Sequence, residues 1–469
     1  MSKRRLPPTL PARGRSRRQT PRRRSEDNVR VAAGWVLDRT LDSLAPVDSF
    51  LTTALERFDD RDQALLCQLV LGSLRWLRRI DAAVAAASHR SFADIEPVLH
   101  APLRIAAYQI LFLDRIPAHA AVNEAVDQAR HLTHRGGASF VNAVLRRLAR
   151  DPELDAWPVE EADPVRRLAI ELSHPEFLVR RWYERFGAAA TRRLLAANNR
   201  PKPLQLVAFC DRGGRELLAE SLLDEGLEVE PTSLSPLGLT VLRGDPLVSE
   251  AFRRGDFYVQ DEGSQVAALI PPPEPGERIL DAAAAPGGKS FALLAQEPSV
   301  ELFLADRSLP RTVLLAHNLE RLGRRLPVTL ADAARSPFGS DFDRVVLDLP
   351  CSGTGTLRKH PELKWRVSEE EVGRLSEQAF GMLRGVADRV RRKGLLVAIT
   401  CSLEAEENER VVERFLNHRR DFQRLDLESE MPDLLGGEIS EEGTWRLLPA
   451  GDHDGFSVTV LRRSSVSGG

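Results

Sequence analysis

The sequence predicts a multidomain protein. An all-helical N-terminal domain over residues 26–150 precedes a small α+β connector over 165–260. A C-terminal α/β domain over 261–469 is expected to carry a doubly wound parallel sheet. Three observations predict this. A chain of 469 residues corresponds to about three domains. Apolar residues recur at helical spacing through the first part. From residue 278 onward, short β-rich runs alternate with helical segments, the pattern of a parallel sheet covered on both faces.

Before the helical domain, residues 1–25 carry ten Lys or Arg and no acid, so 56 cationic side chains face 68 acidic ones over the rest of the chain. A basic arm of this kind attracts polyanions, nucleic acid first. No apolar core follows the charges, which argues against a signal peptide, and Pro7, Pro8, Pro11 and Pro21 oppose the amphipathic helix of a transit peptide. In the helical domain Val122, Ala125, Val126 and Ala129 form one stripe. Phe140, Val141, Val144, Leu145 and Leu148 form a second. Gly136-Gly137 is read as the break between the two helices. Arg146, Arg147 and Arg150 give the second helix a basic last turn that suits its dipole. A proline- and acid-rich linker, 151–164, follows. In the connector, helical stretches precede Asn198, and Leu204–Cys210 reads as a strand.

The C-terminal domain offers candidate strands at 278–282, 301–305, 327–331, 343–348, 394–400 and 456–462. No run of apolar residues reaches the length of a membrane-spanning helix. The four cysteines form no CxxC pair, so neither a disulfide framework nor a metal site is expected, and a reducing cytoplasm fits. Cys67 and Cys210 are read as inert small hydrophobes. Cys351 and Cys401 differ, because each directly follows a β-rich run. Loops after strand ends are where ligands bind in open α/β sheets.

The first of these strands leads into Asp281-Ala-Ala-Ala-Ala-Pro286-Gly287-Gly288-Lys289-Ser290. Glycines there let the backbone turn tightly, and the following helix N-terminus favours anionic groups. The string also satisfies a loose P-loop pattern, so an ATPase is a competing reading. Pro286 weighs against it by removing an N–H from the middle of a phosphate-cradling loop. Acids end the next two strands, Asp306 and Asp332. Asp306 lies 25 residues after Asp281, the spacing of a ribose-hydroxyl acceptor. Asp332 would meet an adenine amino group. Either acid would also serve as a helix N-cap. Lysine is scarce in this arginine-rich chain, and Lys289, Lys359 and Lys364 all fall inside motifs. The loop Arg358-Lys-His-Pro-Glu-Leu-Lys-Trp365-Arg366 mixes cations with an aromatic, as loops that grip RNA do.

Several strings carry a resemblance. They are Ala283-Ala-Ala-Pro-Gly-Gly-Lys289, Asp348-Leu-Pro-Cys-Ser352, Thr400-Cys401-Ser402, Gln260-Asp261-Glu262-Gly263, Glu406-Glu-Asn408 and Asp454-Gly455-Phe456. Together they resemble the RsmB/Sun (Fmu) family of S-adenosylmethionine-dependent RNA 5-methylcytosine methyltransferases, in the family's order, over about residues 255–463. Val122-Asn-Glu-Ala-Val126 and Phe140-Val-Asn-Ala-Val-Leu-Arg-Arg147 resemble NusB-type RNA-binding domains. Ala283 and Leu349 stand where many members have Cys and Ala, and neither position supplies a reacting group.

The resemblance implies a Rossmann-like class I methyltransferase domain, S-adenosylmethionine as cofactor and RNA as substrate, most of all small-subunit rRNA. It implies no DNA, no membrane and a monomer. Ala283, Ala284, Ala285, Pro286, Gly287, Gly288, Lys289, Asp306, Asp332 and Asp348 would hold the cofactor. The resemblance assigns attack on cytosine to Cys401 and release to Cys351, with Asp348 at the base edge. Lys289 would hold the base or Asp348. Adding a thiolate at carbon 6 makes carbon 5 reactive toward a methyl sulfonium, and covalent catalysis divides one hard step into easier ones. A non-catalytic RNA-binding factor is the other competing reading. A DNA cytosine methyltransferase is disfavoured, because it would attack with the Pro-Cys thiol and lack the Thr-Cys one.

Overall fold

A computed structural model describes residues 28–43, 45–151, 154, 162–339, 341–431 and 436–465. The basic arm lies outside the described residues. The chain divides into two units, Met1–Trp157 and Pro158–Gly469.

In the first unit every described regular element is a helix, from Val29–Asp42 to Arg135–Arg150. Both apolar stripes face inward: Val122, Ala125, Val126 and Ala129 are buried, as are Val141, Val144, Leu145 and Leu148, with Phe140 half-buried. The glycine pair does not separate the helices. Gly136 and Gly137 sit in the first turn of Arg135–Arg150, where both donate their N–H groups to the ring Nδ1 of His134 at 3.1 and 3.3 Å. The His134 side chain supplies the cap that the helix N-terminus needs, and this holds the glycines in helical conformation.

The second unit begins with helices Pro164–Glu171 and Glu176–Asn198. A four-stranded sheet follows, made of β1 (Gln205–Ala208), β2 (Glu228–Pro231), β3 (Gly238–Arg243) and β4 (Phe257–Val259) in the order β2-β3-β1-β4 with all pairs antiparallel.

The large sheet contains β5 (Arg278–Asp281), β6 (Glu301–Asp306), β7 (Val328–Leu330), β8 (Phe342–Asp348), β9 (Val390–Thr400), β10 (Phe422–Arg424), β11 (Glu438–Ile439), β12 (Trp445–Leu447) and β13 (Phe456–Arg463). Its order is β11-β12-β13-β9-β8-β5-β6-β7, with β10 paired to β13. Strands β5 to β9 run parallel. Their residues alternate between two apolar layers: Ile279, Val346, Val397 and Ile399 on one face, Leu280, Val345, Leu347 and Leu396 on the other. Burial on both faces is what makes these strands continuous apolar runs.

The last expected strand departs from the parallel pattern. β13 runs antiparallel to β9, with Ser457 opposite Thr400 and Arg462 opposite Leu395. Antiparallel strands need no crossover helix. β13 therefore starts where the parallel strands end, and its first residues reach the same rim as their C-terminal loops.

Candidate active site

β5 and β8 are neighbours at the point where the strand order reverses, with β6 and β7 to one side and β8 and β9 to the other. Ligands of open α/β sheets bind in the crevice at such a switch point. β5 ends in Asp281 and turns through Ala282–Gly287 into the helix Gly288–Gln296. Gly287 closes this turn at φ +118°, and a Cβ there would lie 2.2 Å from the Phe291 ring. Glycine alone fits. β8 delivers Asp348 and then Cys351, and β9 delivers Thr400 and then Cys401. A cleft of about 430 Å³ opens here, lined by Ala283, Ala284, Ala285, Pro286, Gly288, Lys289, Asp348, Cys351 and Cys401. Asp281, Asp454 and Phe456 also line it.

The two sulfurs share a hydrogen bond, Sγ to Sγ 3.5 Å. Neither is in a disulfide. The hydrogen bond with Cys401, burial, and the nearby negative charges of Cys401, Glu407 and Asp348 push the Cys351 thiol well above the ordinary range. Across the cleft, Lys289 donates to Asp348 at 2.6 Å. Burial alone would pull the Lys289 proton off. Asp348, Cys401 and Asp281 outweigh it and hold the ammonium above its usual value. The Lys289 ammonium also lies 5.6 Å from the centre of the Phe456 ring. Asp281 is wholly buried. It accepts from the Ser290 hydroxyl at 2.6 Å and from the Ala283 N–H at 3.2 Å. Burial raises its carboxyl to about 6 against those hydrogen bonds.

A second set of residues holds the sulfurs in place. Glu407 accepts from the Ser352 N–H at 2.8 Å and the Ser352 hydroxyl at 2.7 Å. The Ser352 and Ser402 hydroxyls are 3.3 Å apart. Gly355 N–H donates to the Cys401 carbonyl at 2.8 Å. Asn408 donates to the carbonyls of Ser402 and Glu404 at 3.0 and 2.9 Å and accepts from Thr400 at 2.5 Å. Both cysteine loops thus lean on Glu407 and Asn408. Burial raises the Glu407 carboxyl to about 7. In the sequence these two residues had only the Glu-Glu-Asn string as a signal.

Other site candidates fall outside the cleft lining. Asp306 is buried at the end of β6 and accepts from Ser308 N–H at 2.8 Å and Ala285 N–H at 3.3 Å. It braces the loop after β5. Asp332 is exposed and accepts from Ala334 N–H at 2.9 Å, capping a short turn. The loop after Gly355 turns two of its cations inward. Arg358 is buried, donating to the carbonyls of Gly451 at 2.9 Å and His453 at 3.3 Å. Lys364 is buried, donating to Asn199 at 2.6 Å and the Ser173 carbonyl at 3.2 Å. Lys359 and His360 do line the cleft. Cys67 is half-buried and Cys210 exposed rather than packed in a core.

Lys202 carried no motif. Its ammonium pairs with Asp261 and, at 3.0 Å, with Asp454, so it joins the connector to two residues of the cleft rim. Burial lowers its pKa to about 8, against the pull of Asp454 and with help from Lys359 and Arg358.

Comparison with known proteins reproduces this organisation. Residues 268–462 match the family described as 16S rRNA methyltransferase RsmB/F. Residues 29–150 match the NusB family, and 174–247 match the ferredoxin-like domain of RsmF/B-like methyltransferases. The chain is 32% identical to the probable ribosomal RNA small subunit methyltransferase B of Bacillus subtilis, over 86% of this chain and 91% of that one. It is 34% identical to ribosomal RNA small subunit methyltransferase B of Pseudomonas syringae, over 92% and 96%. The chain belongs to the RsmB/F family of 16S rRNA methyltransferases. A methyltransferase homologue from Pyrococcus horikoshii shares the fold with a TM-score of 0.55 at 23% identity, covering 64% of this chain and 99% of that one.

Membership in the RsmB/F family makes S-adenosylmethionine the cofactor and removes the ATPase and the non-catalytic readings. The cleft fits that cofactor. Asp281 and Asp348 give it carboxylates suited to a sulfonium, and the wall at Ala283–Ala285 and Gly288 has side chains small enough for a nucleoside to approach the backbone. Lys289, which a P-loop would aim at phosphate, is paired with Asp348. No described helix is long and apolar enough to cross a membrane.

Proposed function

We propose that this RsmB/F methyltransferase forms 5-methylcytosine in small-subunit rRNA through a covalent bond between Cys401 and carbon 6 of the base. The reading rests on two thiols 3.5 Å apart in one cleft with a Lys–Asp pair. Ala283–Gly288, Lys289 and Asp348 would hold the cofactor, with Asp306 toward the ribose and Asp332 toward the adenine. S-adenosylmethionine, when bound, supplies an electrophilic methyl group.

The hydrogen bond to Cys401 and burial favour the protonated form of Cys351, which accords with the roles the family resemblance implies, attack by Cys401 and release by Cys351. As Cys401 adds to carbon 6, the displaced electron pair is met by a proton at nitrogen 3, delivered from the Lys289–Asp348 pair through Asp348. Carbon 5, now enamine-like, receives the methyl group. Release uses the contact between the sulfurs. Cys351 protonates the departing Cys401 sulfur, and the Cys351 thiolate so formed takes the proton from carbon 5. Nitrogen 3 returns its proton to Asp348. Each cycle ends with both thiols protonated, and one proton leaves to solvent when Cys401 ionises again. A cytosine inside a stem cannot reach this cleft, so the base is presented flipped or single-stranded. The site of action is the cytoplasm, with its rRNA.

The test is transfer of a radiolabelled methyl group to unmodified 16S rRNA, with the modified base mapped. Cys401→Ala is expected to abolish product. Cys351→Ala is expected to accumulate an RNA–protein adduct that survives denaturation. Normal turnover by Cys351→Ala, with no adduct, would overturn the division of labour.

A further inference from the structure

Six arginines lie between residues 180 and 200, on or just after the helix Glu176–Asn198. Four meet carboxylates: Arg180 with Asp163 and Glu176, Arg181 with Glu404 and Glu406, Arg185 with Glu409, and Arg192 with Glu171. The remaining two, Arg193 and Arg200, are exposed, and neither forms an ion pair among the described residues. These two line a second cavity of about 290 Å³, whose other walls include Leu194, Leu448, Pro449 and Gly451.

This groove adjoins the reaction cleft. Gly451 lines the groove, and Asp454, three residues on, lines the cleft. Arg358 is buried between them, donating to Gly451, while Lys359 beside it in sequence lines the cleft. Lys359 is also exposed. Cationic side chains thus continue from the cleft mouth at Lys359 to Arg200 and Arg193. The nearby acid, Asp452, faces Arg358 at 3.9 Å.

We propose that this groove binds the RNA strand flanking the target base, with Arg193 and Arg200 on consecutive backbone phosphates and Leu448 and Pro449 beneath a ribose or base. The occupant is a single strand because the apolar floor at Leu448 and Pro449 offers a stacking surface only to bases that are not already paired inside a helix. Two unpaired guanidinium groups on an apolar floor match that chemistry, with charge for the backbone and a sequence-tolerant surface for the bases. The inference rests on the RNA-methylating reading of the cleft and adds the path of its substrate.

The experiment compares the full-length enzyme with Arg193→Gln/Arg200→Gln on unmodified 16S rRNA. The KM for RNA is expected to rise about 10-fold with kcat at saturating RNA and S-adenosylmethionine affinity unchanged. The slope of log affinity against log salt, measured by filter binding with S-adenosylhomocysteine present, is expected to become shallower by about 1.4. Arg193→Lys/Arg200→Lys is expected to restore both. A double glutamine variant with wild-type KM and salt slope overturns the proposal, as does failure of the lysine pair to restore the slope. The binding measurement does not depend on which atom is methylated. A methyl group mapped away from carbon 5 of cytosine therefore counts against the proposed chemistry and leaves the salt slope to decide this groove.

Discussion

Lys289 and Lys202 each bury an ammonium beside the same cleft and against aspartate, yet Lys289 holds its proton more tightly than a free lysine and Lys202 more loosely, at about 8. Burial works against the charge in both. The difference lies in the surroundings. Around Lys289 the further neighbours, Cys401 and Asp281, are acidic or become so during the reaction. Around Lys202 they are Lys359 and Arg358. The carboxylate partner alone does not set the proton affinity of a buried lysine; burial and the next layer of charge act with it. One lysine is set to stay charged beside the chemistry. The other holds the rim together at the edge of losing its charge.

The comparison breaks first under Lys202→Met. That change leaves the buried Asp454 and the half-buried Asp261 without their cation, and breaking a buried pair costs about 3–5 kcal/mol. The loss is expected in the unfolding free energy measured by urea. Activity of the folded fraction is expected to stay within about tenfold, since Lys202 touches no reacting atom. If stability fell by no more than the ~1 kcal/mol of a surface pair, the rim would not be stitched as described.

Lys289→Met tests the other half. Removing the cation beside Asp348 is expected to lower kcat by about 10²-fold, the lower end of general acid–base contributions, with a smaller change in stability than Lys202→Met. A wild-type kcat would detach Lys289 from the proton transfer.

The two lysines also predict opposite slopes of stability with pH. For Lys202 the folded value, about 8, lies below the usual 10.5, so between these values the unfolded chain binds more protons and the contribution of Lys202 to stability rises with pH. The rise is on the order of 2 kcal/mol. It should appear in urea midpoints taken from pH 8 to 10 and vanish in Lys202→Met. For Lys289 the folded value is raised. Its stabilisation is present below the unfolded value and is lost as pH climbs through the folded one.

The smallest effect sharpens the cause. Lys359→Ala removes one cation facing Lys202 and is expected to move the onset of that stability rise upward by less than about one pH unit, at salt low enough that screening does not hide it. An unmoved onset would shift the explanation of Lys202 to burial alone.

Much of this was legible in sequence because the central strands are buried on both faces. All six expected runs form strands, from Arg278–Asp281 to Phe456–Arg463. The direction of β13 was not legible, since an apolar run reads the same in either orientation. The connector strand Glu228–Pro231 was missed because most of its residues are exposed and it carries no apolar signal. At the site, the two cysteines, Asp348 and Lys289 stood out as strand-end residues in short strings, and the structure gathers them. Lys202, Asp281 and Glu407 were not singled out, because their importance comes from partners 55 to 252 residues away or from burial. The cation-rich loop misled for the same reason: spacing does not reveal that Arg358 and Lys364 turn inward.

The antiparallel strand β13 sets a timetable. It is the last of the described strands to leave the ribosome, and it brings Asp454 and Phe456 to the rim and pairs the whole length between Leu395 and Thr400 of β9. A nascent chain lacking residues after about 450 has an open sheet edge at β9, a Lys202 without Asp454 and a cleft with one wall missing. Docking of β13 against β9 thus closes one wall of the cleft and, with the same segment, brings Asp454 to Lys202 and the Phe456 ring to Lys289.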